Sequence, residues 1–325
     1  MIIDFHNHFY PPEYIKEIET GPSFYKITYD EEGNPVIHSP GDYNIIVPGH
    51  RLIDVRKQVL IDQGVDKQVL TFTAPGTIVE TPERSVELAR KVNDIFSSIA
   101  KNHKDSFTAL ATLPLNDPNE SVAELERIMG PLGLKGVMLY SNANGVALSD
   151  EIFWPLYEKA NELKAVFYIH PTYPVGVEAM TEFMLMPLLG FTFDTTLAAA
   201  KLVFTGIPER YPHIKWVLGH LGGTIPYLAE RLDRGYEAFK ECRVHIDRPP
   251  SYYLRQFYYD TVNFDINALE FAVDFAGADH VIAGSDYPHQ IGSISKMIES
   301  ISKMNLTASD KAKIYCENSM KLLGL

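Results

Sequence analysis

Short β-rich runs recur eight times along the chain, and each is followed by a segment with helical periodicity. Most runs, such as VLTF, GVMLY and AVFYI, are apolar on consecutive positions, which is typical of strands buried on both faces of a parallel sheet. Eight alternating units in 325 residues fit a closed (β/α)8 TIM barrel of the α/β class better than an open doubly wound sheet. The predicted strands cover residues 1–5, 66–73, 107–113, 134–140, 165–169, 214–218, 257–261 and 280–284, and the predicted helices cover residues 52–62, 82–102, 120–129, 151–163, 195–210, 225–239, 267–275 and 293–302.

Two stretches interrupt this alternation. Residues 9–50 separate the first strand from the first helix and are rich in Pro and Gly, so they predict a long insertion with a hairpin around residues 32–34. Loops of this length usually act as lids. Residues 171–193 follow the fifth strand and are rich in Met, Phe and Pro, which predicts an apolar cover over the same end of the barrel. Neither stretch resembles a separate domain, so we expect one domain over residues 1–325.

Composition excludes several classes of protein. With 29 Lys and Arg against 42 Asp and Glu, the net charge is −13, so we expect no nucleic-acid partner and no anionic membrane surface. Cys242 and Cys316 lie far apart, which argues against a disulfide framework or a thiolate metal site and favours a reducing compartment. The start MIIDFHNHFYPP is polar and no apolar run reaches transmembrane length, so we expect a cytoplasmic protein. No GxGxxG or GxxxxGK[ST] motif follows a strand, which excludes the usual nucleotide sites.

Side chains that bind metals fall at the predicted strand ends. His6 and His8 end the first strand, and the two-residue period of a strand directs both side chains to one face. His170 and His220 follow the fifth and sixth strands, and Asp286 follows the eighth. An isolated HxH fits a merely polar strand end equally well. Because this barrel builds its active sites at the carboxyl ends of its strands, the recurrence favours a metal site.

The remaining histidines have less specific surroundings. His289, three residues after Asp286, fits a substrate contact and a structural role in its loop equally well. His103 follows a helix and His213 lies in a turn before a strand, so both are predicted at the surface. Ordinary structural roles are also expected for His38, His50, His245 and His280.

Four motifs in order resemble one family. DFHNHFYP at the start, YIHPTYP at 168–174, WVLGHLGGTIP at 216–226 and GSDYPH at 284–289 resemble the amidohydrolase-2 family of metal-dependent hydrolases. Within this family, the chain is most similar to the aminocarboxymuconate-semialdehyde decarboxylase group and related decarboxylases. The similarity covers nearly the whole chain, including DQGVDKQVL, ATLPLNDP and the final ENSMKLLGL.

The resemblance implies one divalent metal ion, zinc, with His220 as the acid/base residue. Its ligands would be His6, His8, His170 and Asp286. A metal lowers the pKa of its bound water toward about 7, and a neighbouring imidazole can orient that water or carry its proton. The alternative makes His220 a fifth ligand or a ligand of a second metal. Binuclear members of the superfamily often use a carbamylated lysine late in the fourth strand, whereas Lys135 lies at its beginning, which favours one metal.

Two positions depart from the pattern of the decarboxylase group. Asn44 stands where that group has a carboxylate-binding arginine, and Arg51 nearby is either its substitute or a solvated charge. His289 replaces a bulky aromatic residue, which indicates a different substrate edge. A second carboxylate-binding arginine, supplied across a dimer interface, matches Arg231, and an ion pair with an acid on the same helix is the equal alternative. The resemblance therefore implies a homodimer or a higher homo-oligomer.

Together, the residues and the resemblance predict a metal-dependent nonoxidative decarboxylase of a small unsaturated or aromatic carboxylic acid. In this hypothesis His220 manages the metal-bound water, and Asp286 is both ligand and proton acceptor. The alternative is an amidohydrolase or lactonase that acts on a small amide, lactone or ester, and metal binding without catalysis is less favoured. Eight aromatic residues near strand ends are expected to wall a flat, partly apolar pocket: Phe9, Tyr10, Phe72, Tyr140, Tyr173, Phe191, Phe193 and Tyr287.

Overall fold

A barrel of eight parallel strands forms the centre of the computed structural model, which describes residues 1–39 and 42–325. In chain order, the barrel strands are β1 (Ile3–His8), β2 (Lys67–Thr71), β3 (Phe107–Ala109), β4 (Gly136–Tyr140), β5 (Val166–His170), β6 (Lys215–Leu218), β7 (Tyr258–Asp260) and β8 (Val281–Ile282). Strands pair in sequence order, and a bridge between Ala111 and Val137 connects β3 to β4. The Phe5 amide donates to the Ala283 carbonyl at 2.8 Å and closes β8 onto β1. The predicted TIM barrel is confirmed.

One helix of ten or more residues follows each barrel strand. These helices are α1 (Ile53–Gln63), α2 (Pro82–Asn102), α3 (Pro118–Met129), α4 (Trp154–Leu163), α5 (Phe191–Phe204), α6 (Ile225–Ala238), α7 (Ile266–Ala276) and α8 (Ile294–Lys303). Thr81 caps α2, since its side chain accepts from the amide of Arg84. The predicted helix over residues 195–210 is wrong in extent, because Gly206 adopts a φ of 75° and separates α5 from a short helix, Ile207–Arg210.

Shorter elements fill the connections. The residues around Asn144 form a hairpin that pairs Asn142–Ala143 with Val146–Ala147. The other helical turns are Glu151–Phe153, Val177–Met180, Met186–Gly190, His220–Gly222, Lys240–Arg243, Pro250–Leu254, Ala278–His280, Ala308–Ala312, Lys313–Glu317 and Asn318–Leu323.

The barrel interior is a packed apolar cluster, separate from the larger core between strands and helices. Its members in the strands are Ile3, Phe5, Val69, Met138, Val166, Tyr168, Val217, Tyr258 and Ile282, and Leu110 directly follows β3. Leu323 of the last helix packs into the same cluster. Since Ile3, Val166 and Tyr258 are the first residues of their strands, this packing fills the amino-terminal end of the barrel. Polar chemistry is therefore left to the opposite, carboxyl end.

The insertion between β1 and α1 has its own secondary structure. It contains a helix (Pro12–Thr20), an antiparallel sheet (Lys26–Tyr29, Pro35–Ser39 and Asp42–Ile45) and a helical turn (Pro48–Arg51). The predicted hairpin is confirmed, since Tyr29 pairs with Pro35 across the turn. Asn44 and Ile45 of this sheet line a cavity at the carboxyl ends of the barrel strands. The insertion thus lies over the barrel mouth, and its function as a lid stays a prediction.

One stretch of the described chain, Met186–Phe204, is long and apolar enough to cross a membrane by length and composition alone. It consists of the turn Met186–Gly190 and helix α5. Ala199 and Leu202 of α5 are buried in the core between the helices and the barrel. Core helices of globular proteins pass the same test, so this stretch is weak evidence for a membrane span.

Candidate metal centre

The carboxyl ends of four barrel strands bring metal-binding side chains to one point. His6 and His8 end β1, and their Nε2 atoms lie 3.1 Å apart. Asp286 follows β8 and places its Oδ1 3.0 Å from His8 Nε2 and 3.4 Å from His6 Nε2. All three side chains are buried.

His170 and His220 complete the group. His170 is the last residue of β5, and its ring centroid lies 5.3 Å from that of His6 and 4.9 Å from that of His8. His220 follows β6, with its Nε2 4.0 Å from Asp286 Oδ2. One ligand atom from each of His6, His170, His220 and Asp286 lies within 4.8 Å of the others. The five side chains predicted from the strand ends therefore converge.

Hydrogen bonds on the far side of His6 and His170 determine which nitrogen faces this point. His6 Nδ1 lies 2.6 Å from Asp260 Oδ2, and His170 Nδ1 lies 2.8 Å from the Pro171 carbonyl oxygen. An ionised carboxylate and a carbonyl only accept hydrogen bonds, so each Nδ1 carries the proton. We assign both rings from this network as tautomers with an Nε2 lone pair.

His8 is held in the same way. Its Nδ1 lies 3.1 Å from Thr71 Oγ1, and the Thr71 hydroxyl already donates its proton to the Asn7 carbonyl. Thr71 must therefore accept from His8 Nδ1, which leaves the lone pair on Nε2. Three imidazole lone pairs are thus directed toward Asp286.

This donor set fits one divalent metal ion. Imidazole nitrogen and carboxylate oxygen are common ligands of such ions, and ligating histidines usually donate their other N–H to a carboxylate or carbonyl. His6 and His170 show that arrangement with Asp260 and Pro171. Lys135 is exposed and lies directly before β4, far from the strand end where a bridging lysine would be needed.

Electrostatics also favours a bound cation. Burial lowers the pKa of His8 and of His170 well below the ordinary value. Burial and the nearby His6 lower the pKa of His220 to about 4. Burial acts against the charged form of His6 as well, but the Asp260 carboxylate outweighs it and raises the pKa of His6 to about 10. The rings of His8, His170 and His220 are therefore uncharged near neutral pH and free to bind a metal ion, and the raised pKa of His6 shows how strongly the buried carboxylates favour a positive charge at this point.

The backbone at two of these side chains is strained. His220, Leu221 and Asp286 have φ angles of 52°, 57° and 58°, in the left-handed region that residues other than glycine rarely adopt. The amides of His220 and Leu221 donate to Asp260 at 3.1 and 3.0 Å and hold this turn. Asp260 therefore orients both His6 and His220. Such strain is found at functional sites, where surrounding contacts maintain it.

A cavity of about 370 Å³ lies against the convergent side chains. This volume is in the range of small-molecule sites. His170, His220 and Asp286 form its polar end. Its apolar walls come from the insertion and from residues 171–193, and they include Ile37, Ile45, Tyr173, Met184, Leu188 and Phe191. No Lys or Arg lines the cavity within residues 1–39 and 42–325.

Two further histidines line this cavity, and one of them corrects an expectation. The ring of His289 lies 4.6 Å from that of His8. His50 was expected to have an ordinary structural role, but it is buried in the cavity wall with its Nε2 3.3 Å from His289 Nδ1. The local sequence PGHR does not reveal this position, because it depends on how the insertion crosses the barrel mouth.

The predicted carboxylate-binding positions are dispersed. Asn44 lines the cavity and donates to the Tyr10 hydroxyl at 2.7 Å. Arg51 lies outside the cavity lining and donates its Nε to the Ile46 carbonyl at 3.3 Å. Arg231 is exposed on α6, outside the cavity, and its guanidinium makes no ion pair with any described residue. Both alternatives for Arg231, a substrate contact across a dimer interface and an ion pair with a nearby acid, stay predictions.

Of the eight aromatic residues that were predicted to line the pocket, two, Tyr173 and Phe191, line the cavity in the described part of the chain. Phe9, Tyr10, Phe72 and Tyr140 are buried in the core instead. Phe193 is exposed on α5, and Tyr287 packs against the Arg56 guanidinium. Proximity to a strand end does not separate the aromatic residues that face the cavity from those that face the helices.

The sequence analysis missed three supporting residues, one aspartate and two threonines. Asp260 ends β7 in the run FYYD, and a carboxylate at the end of a buried strand was a usable signal. Thr71 and Thr73 flank the end of β2 and contact His8 and His170. Single hydroxyls of this kind carry no sequence signal, because Thr is common in strands.

The family follows from a comparison with known proteins. A model of the amidohydrolase family matches residues 3–325. The chain belongs to the amidohydrolase family. The resemblance drawn from the four motifs is thereby confirmed.

Several named proteins resemble this chain over most of its length. It is 33% identical to 2-amino-3-carboxymuconate-6-semialdehyde decarboxylase from Dictyostelium discoideum, over 84% of this chain and 76% of that protein. The crystal structure of 5-carboxyvanillate decarboxylase from Sphingomonas paucimobilis superposes with a TM-score of 0.88 at 22% identity, covering 100% of this chain and 99% of the other. Dihydroxybenzoic acid decarboxylase from Polaromonas, with bound manganese, has a TM-score of 0.82 at 23% identity, covering 99% and 96%.

Proposed function

We propose that this amidohydrolase is a metal-dependent nonoxidative decarboxylase of a small aromatic or unsaturated carboxylic acid. The observation that carries the proposal is the convergence of three imidazole nitrogens, His220 and Asp286 at one end of an apolar cavity. The relatives named as decarboxylases are similar to this protein over most of the chain, and this similarity favours decarboxylation over hydrolysis.

The proposed cofactor is one divalent metal ion held by the convergent side chains. Its proposed ligands are His6, His8, His170 and Asp286. Zinc is our first choice because imidazole ligands suit it, and manganese is the competitor because the Polaromonas relative binds it. When bound, the ion would polarise substrate oxygen and stabilise the negative charge that develops during bond cleavage.

His220 is proposed to carry the proton that the reaction requires. In decarboxylation, the bond to the carboxyl carbon breaks, carbon dioxide leaves, and the electron pair left on the substrate carbon takes up one proton. His220 Nε2 lies 4.0 Å from Asp286 Oδ2, and both residues line the cavity, so both side chains can reach a bound substrate. Because burial lowers the pKa of His220 to about 4, a proton on its ring would be released readily.

The cavity limits the substrate to a compact molecule. Since no Lys or Arg lines its described walls, the substrate carboxylate would rely on the metal and on uncharged donors. Apolar contacts from Ile37, Tyr173 and Phe191 suit one flat unsaturated or aromatic ring. We also propose that residues 9–50 act as a lid over the cavity and that residues 171–193 form its apolar cover.

We propose that the protein forms a homodimer whose interface is built from α5 and α6. We also propose that it is cytoplasmic. Phe193 and Leu197 lie one turn apart on α5 and are both exposed. On α6, exposed Tyr227 lies one turn before exposed Arg231. Exposed apolar residues on two adjacent helices are typical of a subunit interface, where Arg231 would reach the partner.

Trapping of carbon dioxide tests the proposed reaction. The purified protein, loaded separately with zinc and manganese, is incubated with a panel of aromatic and unsaturated carboxylic acids. We expect carbon dioxide and the decarboxylated product in equal amounts from at least one acid. Turnover restricted to esters, lactones and amides in a matched panel would establish the hydrolase alternative and overturn the proposal.

A further inference from the structure

His50 and His289 form a hydrogen-bonded imidazole pair in the cavity wall, beside the proposed metal ligands His8 and Asp286. His50 Nε2 lies 3.3 Å from His289 Nδ1, and their ring centroids are 5.1 Å apart. Each residue comes from a different part of the chain, His50 from the turn Pro48–Arg51 and His289 from the loop after β8. Neither belongs to the proposed ligand set, and the proposed proton transfer does not use them.

One proton lies between these two nitrogens, and it belongs to one ring. If His289 Nδ1 donates, His50 carries its other proton on Nδ1. If His50 Nε2 donates, His50 Nδ1 is an unprotonated acceptor. The surroundings of His50 Nδ1 distinguish the two cases, because this atom is buried and has no hydrogen-bond partner among the described residues.

A buried N–H without an acceptor is rarer in proteins than a buried acceptor without a donor. We therefore place the shared proton on His50 Nε2, because His50 Nδ1 is then an acceptor and no buried N–H of His50 is left without a partner. His289 Nδ1 then accepts, and the second nitrogen of its ring, Nε2, must carry a proton. His289 Nε2 makes no hydrogen bond with the described chain, and His289 lines the cavity.

We propose that His50 is a positioning residue that fixes His289 as a hydrogen-bond donor to an oxygen acceptor on the substrate ring. The substrate class narrows to ring acids with an ether, phenolic or carbonyl oxygen on the edge that faces His289. This narrowing rests on the proposed function, whereas the tautomer of the pair does not. The absence of Lys and Arg from the described lining leaves few side chains to supply such a donor.

Neighbouring side chains support this division of roles. Asn44 directs its Nδ2 to the Tyr10 hydroxyl, and Thr73 contacts the His170 ring, so both polar groups already have partners. The backbone amide of His289 donates to the Asp286 carbonyl at 3.0 Å, which connects the donor to the loop that carries the proposed metal ligand. A substrate oxygen bonded to His289 would therefore have a fixed direction relative to the metal centre.

Nitrogen NMR of the metal-loaded wild-type protein tests the tautomer directly. Protein labelled with 15N at histidine is recorded near neutral pH, and the His50 and His289 signals are identified by their loss in His50→Leu and His289→Phe. We expect protonated Nε2 on both rings. In His50→Glu, the carboxylate can only accept from His289, so the proton of His289 should move to Nδ1. A wild-type His289 protonated on Nδ1 would overturn the proposal.

Binding of paired probes tests the substrate contact. Methoxybenzoates and ethylbenzoates substituted at the same ring position have similar size, but only the methoxy group accepts a hydrogen bond. By calorimetry, the metal-loaded wild type should bind at least one methoxybenzoate about tenfold tighter than its ethyl counterpart. His289→Phe and His50→Glu should abolish this preference, and His213→Leu, outside the cavity, should retain it.

The two experiments separate this inference from the proposed reaction. A preference that persists in His289→Phe, or one that is absent from the wild type at every ring position, contradicts the donor role. Carbon dioxide release with either of those results would leave the decarboxylase proposal standing while this inference fails. A methoxy preference and the expected tautomer, without carbon dioxide release from any acid, would instead reject the reaction and retain the histidine pair.

Discussion

At the scale of single residues, the centre separates side chains that would bind the metal from side chains that orient the ligands. Each histidine proposed as a ligand has its Nδ1 occupied, by Asp260 for His6, Thr71 for His8 and Pro171 for His170. His220 differs, because its Nδ1 is buried without a partner in the described chain. A histidine without such an anchor suits proton transfer better than metal coordination.

This difference predicts the behaviour of His220→Ala. Turnover should fall by at least 100-fold because the proton carrier is lost, while metal content stays within about 20% of the wild type. Metal analysis after gel filtration, together with the carbon dioxide assay, measures both quantities. Asp286→Asn is the comparison variant and should lose metal and activity together. A parallel loss of metal in His220→Ala would make His220 a ligand.

Asp260 gives a second prediction at this scale. Replacement by Asn removes the carboxylate that holds His6 Nδ1, so the metal should bind about 10- to 100-fold more weakly. Competition with a chromophoric chelator measures the affinity. Tyr168→Phe is the matched control, since it removes only the hydroxyl that donates to Asp260 at 2.7 Å. Equal metal affinity in Asp260→Asn and the wild type would contradict an orienting role.

The site residues that could be predicted from the sequence have a metal-binding side chain and lie at the end of a predicted strand. His6, His8, His170, His220 and Asp286 met both conditions, and the structure brings them together. The supporting contacts of these side chains, and the His50–His289 pair, depend on neighbours that are distant in sequence. A one-dimensional pattern does not contain those distances, so they became visible only with the fold.

At the scale of elements, one buried arginine connects β1 to the insertion. Arg56 of α1 donates to the carbonyls of His8 and Gly49 and to the side-chain oxygens of Asn7, at 2.6 Å, and Gln68, at 3.1 Å. Burial lowers the pKa of Arg56 to about 10, so it remains a cation near neutral pH. These contacts position the end of β1 and the turn that carries His50.

Arg56→Met should therefore destabilise the fold strongly. Four buried acceptors lose their donor, and we expect the free energy of unfolding to fall by about 3–5 kcal/mol. Urea denaturation followed by circular dichroism measures the change. Arg234→Met removes an exposed arginine that pairs with the exposed Glu237, and it should cost less than about 1 kcal/mol. Similar losses in the two variants would show that the buried acceptors do not depend on Arg56.

The insertion helix Pro12–Thr20 is attached to α2 by a charge cluster with a defined pH dependence. Glu17 receives hydrogen bonds from Lys91 and Arg84, which lower its pKa from 4.5 to about 2. A depressed carboxyl pKa stabilises the fold above the unfolded value, and the stabilisation disappears as the pH falls from about 4.5 to 2.

Glu17→Gln should thus lower the free energy of unfolding by about 1 kcal/mol near pH 7, since the cluster is partly exposed. The difference from the wild type should shrink below pH 4.5 and disappear near pH 2. Denaturant titrations at several pH values measure it, and Glu83→Gln, in the first turn of α2, is the control. A constant difference across this range would exclude charge as its origin.

Element boundaries show where sequence patterns lose information. The continuous apolar runs located all eight barrel strands, because both faces of each strand are buried. The pattern across residues 195–210 continued past Gly206, where the chain turns at positive φ and a new helix starts at once. Hydrophobic periodicity shows which face of a helix is buried. Two consecutive helices that pack on the same barrel can continue one apolar pattern, so the pattern does not reveal the break between them.

At the scale of the whole molecule, the barrel has a stable end and a functional end. Leu323 and the first residues of the strands pack an apolar cluster at the amino-terminal end, while buried charges gather at the carboxyl end. The packed end and the closed hydrogen bonding of the strands do not depend on the metal ligands. Metal removal should therefore leave the barrel folded and reduce its stability.

We expect exhaustive chelation to abolish turnover while the far-ultraviolet circular dichroism spectrum stays unchanged. Binding at about 1,000 times Kd stabilises a protein by about 4 kcal/mol, so the melting temperature should fall by on the order of 10 °C when the metal is removed. Reloading with zinc or manganese in parallel should restore both properties, and the ion that restores more turnover at matched occupancy identifies the catalytic metal. Magnesium, which prefers oxygen ligands, serves as the control and should restore neither property. Full activity in a sample with no detectable metal would contradict the metal centre, because three histidines with Nε2 lone pairs directed at one carboxylate would then have no ion to bind.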